Sequence, residues 1–395
     1  MDQDTIGRAD KFMFKTYNRL PVTLVRGDGC YVWDENGREY VDFIGGIAVC
    51  ALGHSSSLVS KVLQEQSKKL VHVSNLFYTQ PQTDLAEILI QNSFADRVFF
   101  CNSGAEANEA AIKLARRYSK EKFGDKKNVI ITMENSFHGR TMATLSATGQ
   151  EKIRTGYNPI LEGFKYVPFN DLSKLESVIN EKVCAVMLEP IQGEGGVVMP
   201  DDYYLKGVRD ICTKHDILLI LDEIQVGMGR TGRFFAYEHF GITPDIITLA
   251  KAMGNGLPIG AMLATEKLQN AFGPGSHATT FGGSPLITAV AYEVVKSLLN
   301  DGWIENARKM GEYFKKNLLI LQKKHSMING VRGKGLILGL ILKNDMGEIV
   351  SKCMDRGFLI NCIHDRVLRF VPPLIIQKKE IDLLIDCLDD IFKEI

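Results

Sequence analysis

Four apolar runs in the middle of this chain stop at residues that could do chemistry. ILLIL (217–221) stops at Asp222-Glu223, DIITLA (245–250) at Lys251, VCAVML (183–188) at Glu189, and RVFF (97–100) at Cys101-Asn102-Ser103-Gly104. A lysine at the end of an apolar strand is poorly solvated. Desolvation lowers its pKa and frees a neutral amine that can condense with an aldehyde. An aspartate ending a neighbouring strand could pair with a protonated ring nitrogen. Ser103-Gly104-Ala105 stands where a helix should begin, and there a hydroxyl and backbone N–H groups can hold a dianion. Ligands of open parallel sheets bind at the carboxyl ends of the strands, so these groups are expected on one side of one sheet.

An amine for an aldehyde, an acid for a ring nitrogen and a phosphate site are together what pyridoxal 5'-phosphate (PLP) requires, and PLP is the expected cofactor. Each feature has an ordinary alternative. A strand-end lysine is usually a solvated terminus, a strand-end aspartate a turn or cap residue, and a Ser-Gly turn a helix N-cap. Their joint placement carries the reading. A competing pattern, Gly227-Met228-Gly229-Arg230-Thr231-Gly232 with Asp245 further on, fits the G-x-G-x-x-G dinucleotide motif. Its context is wrong, because Asp-Glu-Ile-Gln-Val separates it from the strand and RFFAYEHFG does not read as a crossover helix.

These groups need a scaffold. The apolar runs between about residues 95 and 265 are continuous rather than alternating, which suits strands buried on both faces. Helical segments such as AEANEAAIKLARRYSKEKF separate them. The expected class is α/β, with a large domain built on a mostly parallel sheet covered by helices. Residues 22–43 read as short antiparallel strands with a turn at Asp34-Glu35-Asn36-Gly37, residues 285–325 as helical, and a last amphipathic helix starts near Lys378. A smaller α+β domain would then combine both chain ends: residues 1–56 and 291–395, around a large domain of 57–290.

At 395 residues two domains are the default. Lys plus Arg equals Asp plus Glu at 47 each, so nothing favours nucleic acid or an anionic membrane. No stretch reaches the roughly 18 apolar residues of a membrane span, and the N-terminus lacks the apolar core of a secretory signal. The eight cysteines form no Cys-x-x-Cys pair, which suits reduced thiols in the cytoplasm and gives no metal site.

The sequence also resembles a known family, the class III PLP-dependent aminotransferases, and among them most the acetylornithine aminotransferases. The resemblance runs nearly the full length. It is carried by NSGAEANEAAIKLAR (102–116), FHGRTMATLSATGQ (137–150), EPIQGEGGV (189–197), LDEIQVGMGRTG (221–232), PDIITLAK (244–251), TTFGGSP (279–285), VRGKG (331–335) and LRFVPPL (368–374). It implies the PLP-dependent transferase fold type I. It further implies that Lys251 holds the cofactor aldehyde and shuttles a proton, that Asp222 binds the ring nitrogen, and that Gln225, Glu189, Phe137 and His138 surround the ring. Ser103, Gly104 and Ala105 would take the phosphate. Thr280 would reach the phosphate of a neighbouring subunit's cofactor, making the active site a homodimer property.

On the substrate side the resemblance implies Arg140, Arg369, Glu194, Tyr17 and Ile47. Arg140 would hold a distant carboxylate and Arg369 the α-carboxylate of 2-oxoglutarate, with Glu194 occupying Arg369 otherwise. Ornithine aminotransferases carry a tyrosine at the position matching Ile47, and an isoleucine cannot make that hydrogen bond. Ile47 thus argues against free ornithine but does not separate acetylated from succinylated donors. The donor the resemblance implies is N-acetylornithine, giving N-acetylglutamate semialdehyde and glutamate. N-succinyl-diaminopimelate and N-succinylornithine are alternatives, and free ornithine or 4-aminobutyrate less so. The chain departs from the usual pattern at Gly53-His54-Ser55-Ser56-Ser57, at Ala252-Met253-Gly254-Asn255-Gly256 and at Ser284, none of which removes a reactive group.

Overall fold

A computed structural model describes residues 5–395. Its centre is a seven-stranded sheet in the order Arg97–Cys101, Gly260–Ala264, Ile246–Leu249, Leu218–Asp222, Val183–Leu188, Val129–Met133, Phe164–Val167. Gly260–Ala264 runs antiparallel to both of its neighbours, and the other pairings are parallel. Every residue of Val183–Leu188, Leu218–Asp222, Ile246–Leu249 and Gly260–Ala264 is buried. That is why those runs are apolar at successive positions instead of alternating. The expected mostly parallel sheet is present. The edge strand Phe164–Val167 was not foreseen, since FKYV is short and only its last residue is fully buried.

The helix Gly104–Phe123 packs against this sheet through Ala107, Ala110, Ala111, Ile112, Leu114 and Ala115, with Asn108 among them. Small side chains let the helix axis approach the strands closely. Its start is fixed locally. Ser103 Oγ accepts from the Glu106 N–H at 3.2 Å, and Glu106 Oε2 reaches back to the Asn102 N–H at 2.6 Å. This reciprocal cap satisfies donors that the first turn would otherwise leave bare.

The chain ends meet. The strands Leu24–Asp28, Tyr31–Asp34 and Glu39–Asp42 form an antiparallel meander, and Phe358–Leu359 joins it in parallel beside Val41 and Asp42. A second four-stranded sheet contains Ile328–Lys334, Ile337–Leu342, Val367–Phe370 and Asn361–Ile363. Phe43 packs on Phe314, Phe358 and Phe370 with ring centroids 5.7 to 6.5 Å apart, so residues more than 270 positions apart share one core. The helices Trp303–Lys324 and Lys378–Glu394 cover this part. Among the described residues no helix is long and apolar enough to cross a membrane.

The glycine-rich segment at Gly227–Gly232 is not a dinucleotide loop. No α-helix follows it, only the short 3-10 turn Ala236–His239. Fully buried Arg230 donates to the carbonyls of Leu336 and Pro372, tying this segment to the C-terminal strands. The Asp245 carboxylate is committed to the Leu219 N–H at 2.7 Å, to Arg209 at 2.8 Å and to Lys267.

The antiparallel strand has a direct bearing on the first turn of the long helix. Gly260 is paired with Cys101, and a Cβ there would lie 2.3 Å from the Ser103 carbonyl oxygen. Backbone cannot yield as a side chain does, so Gly260→Ala should cost about 2 kcal/mol and lower Tm. A Tm equal to that of the parent in differential scanning calorimetry would show that the Ser103 turn is free to move.

Candidate active site

The strand ends converge as the sequence suggests. Asp222 is the last residue of its strand, Glu189 follows Leu188 directly, and Lys251 lies two residues past Leu249. Lys251 has φ +45°, a left-handed backbone that turns its side chain out of the strand line. With Asn102, Ser103, Gly104 and Ala105 these residues line one cavity of about 480 Å³. Phe137, His138, Arg140, Glu194 and Gln225 also line it, as do Val49, Ile224 and the segment 256–259.

Asp222 is held by three donors. Oδ2 accepts from Asn108 Nδ2 at 2.7 Å and from His138 Nδ1 at 2.8 Å, and Oδ1 accepts from the Ile224 N–H at 3.1 Å. His138 therefore carries its proton on Nδ1, while its Nε2 is buried without a hydrogen-bond partner. Glu189 accepts the N–H groups of Phe137 and Gly193, each at 3.1 Å. Burial nonetheless pushes its carboxyl up to about 7. The adjacent Glu223 points away into the protein and caps the N–H groups of Ala236 and Tyr237, at 2.7 Å each. Burial raises it to about 8.

Burial holds the Lys251 ammonium below the usual lysine range, against the pull of Glu194, and the Arg369 guanidinium adds to the lowering. The amine is thus more readily neutral than a surface lysine, as a nucleophile toward an aldehyde must be.

The two arginines differ sharply. Arg369, in the strand Val367–Phe370, is 1% exposed and bonds Glu194 Oε1 at 2.5 Å and Gln225 Oε1 at 3.3 Å. Burial alone would raise Glu194, but Arg369 holds it below the ordinary carboxylate value. Gln225 Nε2 reaches the same Glu194 oxygen at 3.2 Å. A Cβ on Gly193 would stand 2.0 Å from Gln225 Oε1, so a glycine is what lets the amide lie there. Arg140 is exposed, has no ion-pair partner among the described residues, and sits with its guanidinium 5.6 Å from the Phe137 ring centroid.

Four of the residues singled out in the sequence are not part of the cavity wall of the single chain. Arg369 stands behind it, bonded to the wall residues Glu194 and Gln225. Tyr17 is 73% exposed and its ring lies 5.2 Å from the Arg19 guanidinium. Ile47, at φ 63° in a tight turn, is 44% exposed, and Val49 lines the wall instead. Thr280 is exposed beside Phe281. Conversely, sequence reasoning passed over Asn108 and Thr248, which are fully buried behind Asp222. For Asn108 the available signal was a polar side chain on the helix face that also carries Ala107 and Ala111.

No ligand is part of the structure, so the fit of PLP rests on the donor set. The N-terminus of a 20-residue helix, with N–H groups at Gly104 and Ala105, suits a phosphate. A carboxylate fixed by three donors and a desolvated lysine face the same cavity, and its volume lies within the usual range for small-molecule sites. The residues fit the group.

The chain is also similar to known proteins. Residues 12–392 match the family described as aminotransferase class-III. The acetylornithine aminotransferase of Caldanaerobacter subterraneus subsp. tengcongensis is 50% identical over 386 residues, covering 98% of both chains. The N-acetylornithine aminotransferase structure from Stenotrophomonas maltophilia superposes with a TM-score of 0.84 at 40% identity, covering 98% of this chain and 97% of that one. An ornithine aminotransferase structure from Toxoplasma gondii, described as having partial occupancy of PLP at the active site, gives a TM-score of 0.95 at 32% identity, covering 99% of this chain and 94% of that one.

The burial of Glu189 makes a pH prediction. Its folded-state pKa is raised, so between about 4.5 and 7 the folded protein holds a proton that the unfolded chain has released. That contribution to stability is present at the acidic end of the window and is lost as pH rises through it. The stability of the parent relative to Glu189→Gln should fall by up to about 3 kcal/mol across this window. A pH-independent difference in denaturant titrations would show that Glu189 is not desolvated.

Proposed function

Because the chain belongs to the class-III aminotransferase family, we propose that it transfers the distal amino group of N-acetylornithine to 2-oxoglutarate. The observation that carries this reading is one cavity lined by Lys251, a buried Asp222 and an exposed Arg140, with a buried Arg369 bonded to its wall residues Glu194 and Gln225. When bound there, PLP supplies an electron sink for the pair left behind as a proton leaves the amine-bearing carbon.

The chain's own residues do the rest. Ser103, Gly104 and Ala105 would hold the phosphate at the helix N-terminus. Asp222 would hold the ring nitrogen, with Phe137, His138, Gln225 and Glu189 lining the space around the ring. Lys251 would hold the aldehyde carbon, and its free amine would serve as the base and then the acid that moves the proton of the reacting carbon.

One site must accept two substrates. An N-acylated ω-amino donor enters with its carboxylate far from the reacting amine, and the exposed Arg140 is placed to receive it. Glutamate and 2-oxoglutarate bring a carboxylate next to the reacting carbon, which suits the buried fork of Arg369. Glu194 neutralises Arg369 in the first case. Its side chain is 29% exposed, so it has room to swing aside in the second. The name of the Caldanaerobacter relative supports the acetylated donor over the succinylated ones. Ile47 offers no hydrogen bond to a free α-amine, which disfavours ornithine.

The same reading makes the protein a homodimer. Leu76, Phe77, Tyr78 and Phe281 are all at least 65% exposed. They belong to one surface, since Asn75 Nδ2 donates to the Gly282 carbonyl at 2.9 Å and His72 packs on Phe281. A second copy would cover this apolar face and bring its Thr280 toward a phosphate site. All eight cysteines are free thiols, which suits the cytoplasm.

An absorbance spectrum tests the assignment. Purified protein with PLP should be yellow, and N-acetylornithine alone should convert it to the pyridoxamine form. A band that ignores N-acetylornithine but answers a succinylated donor would move the assignment to that donor. Lys251→Ala should lose turnover by at least about 10⁴-fold, and a rate near that of the parent would remove the lysine from the mechanism. Glu194→Ala should slow the donor half-reaction more than the glutamate half-reaction, because Arg369 is then never masked. Single-turnover rates in an unchanged ratio would exclude the exchange.

A further inference from the structure

Behind Asp222 stand two polar side chains to which the proposed chemistry assigns no task. Asn108 belongs to the helix Gly104–Phe123 and Thr248 to the strand Ile246–Leu249, where it is in register with Asp222. Both are 0% exposed. Asn108 Nδ2 lies 2.7 Å from Asp222 Oδ2 and 2.8 Å from the carbonyl oxygen of His138. Thr248 Oγ1 lies 2.7 Å from Asn108 Oδ1.

This geometry fixes the orientation of the carboxamide. Turned over, Oδ1 would face a carboxylate and a carbonyl, two acceptors with no proton between them. The amide nitrogen must therefore point at Asp222, and the Thr248 hydroxyl must donate to Oδ1. In the chain Thr248–Asn108–Asp222 the direction of each hydrogen bond is fixed: the hydroxyl donates to the amide oxygen and the amide nitrogen to the carboxylate. His138 is the other side-chain donor to the same Asp222 oxygen.

We infer that Thr248 and Asn108 form a fixed brace that sets the rotation of the Asp222 carboxylate, so that it meets the cofactor ring nitrogen in one orientation. They are positioning residues, acting through Asp222 without touching substrate. This inference rests on the functional reading above. Its physical basis is general. A side chain that must hold a reacting group to within about half an ångström needs partners that are themselves locked by packing. Asn108 is locked by the alanine-lined contact of its helix with the sheet, and Thr248 by the strand that pairs with the Asp222 strand.

The test uses the PLP-loaded enzyme with Asn108→Ala, Thr248→Val and Thr248→Ser. Asn108→Ala should lower kcat about 10- to 100-fold, the size of effect that orienting partners have around metal ligands, with KM for both substrates within about twofold. The pH midpoint of the visible band should rise by about one unit, because a ring charge held less firmly depresses the neighbouring cation less. Thr248→Val should show both changes in smaller degree, and Thr248→Ser, which keeps the hydroxyl, should return both to near the parent values. Folded Asn108→Ala protein with the parent's pH midpoint and kcat would overturn the brace. If Asn108→Ala does not fold, the threonine pair decides: Thr248→Val indistinguishable from Thr248→Ser and the parent overturns it equally. A parent that shows no visible band after PLP is added would instead sink the functional reading.

Discussion

Charge at the edge of a dry sheet is the constraint on which this molecule is built. The central strands are apolar at every position, so the groups at their carboxyl ends leave water on one side only. A charge kept there needs partners. Asp222 has three donors, Glu189 has two, and Glu194 has Arg369 and Gln225. Lys251 is the exception, with no hydrogen bond to another side chain among the described residues. Left without a partner in a desolvated place, its amine is driven toward the neutral form. The same burial that imposes a cost on the carboxylates thus prepares the nucleophile.

The arginines extend this logic to specificity. A guanidinium cannot shed its proton, so burying Arg369 requires a permanent counter-charge. Glu194 supplies one from a partly exposed position, and in the proposed exchange a substrate carboxylate would take its place. Arg140 stays in solvent beside an aromatic face and needs no such guard. Arg140 is thus open to the cavity while Arg369 is covered by Glu194, the difference on which the proposed two-substrate exchange rests.

The rest of the chain keeps these pieces in register. Arg230 joins the loop after Asp222 to the C-terminal strands, and the cluster of Phe43, Phe314, Phe358 and Phe370 joins both chain ends. Arg369 reaches the wall residues Glu194 and Gln225 from a strand of that C-terminal region, whereas Lys251 and Asp222 come from the central sheet. The active-site geometry accordingly depends on cores that lie far from the chemistry.

Much of this was legible in the linear chain because it is local. Continuous apolar runs marked the strands, the residues that ended them marked the cavity edge, and the Ser103-Gly104 turn marked the start of the helix. The short edge strand Phe164–Val167 and the reversed direction of Gly260–Ala264 were not legible, since both depend on which neighbour a strand finds. Tyr17, Ile47 and Thr280 were named from resemblance and stand outside the cavity wall of one chain. The pairing of Glu194 with Arg369 spans 175 positions, that of Asn108 with Asp222 spans 114, and that of Thr248 with Asn108 spans 140. The sequence determines which residues can ionise, cap or donate, because those properties belong to each side chain and its nearest neighbours. Which of them meet is decided only when helices cross the sheet and bring distant strand ends to one edge, because a hydrogen bond depends on separation in space and not along the chain.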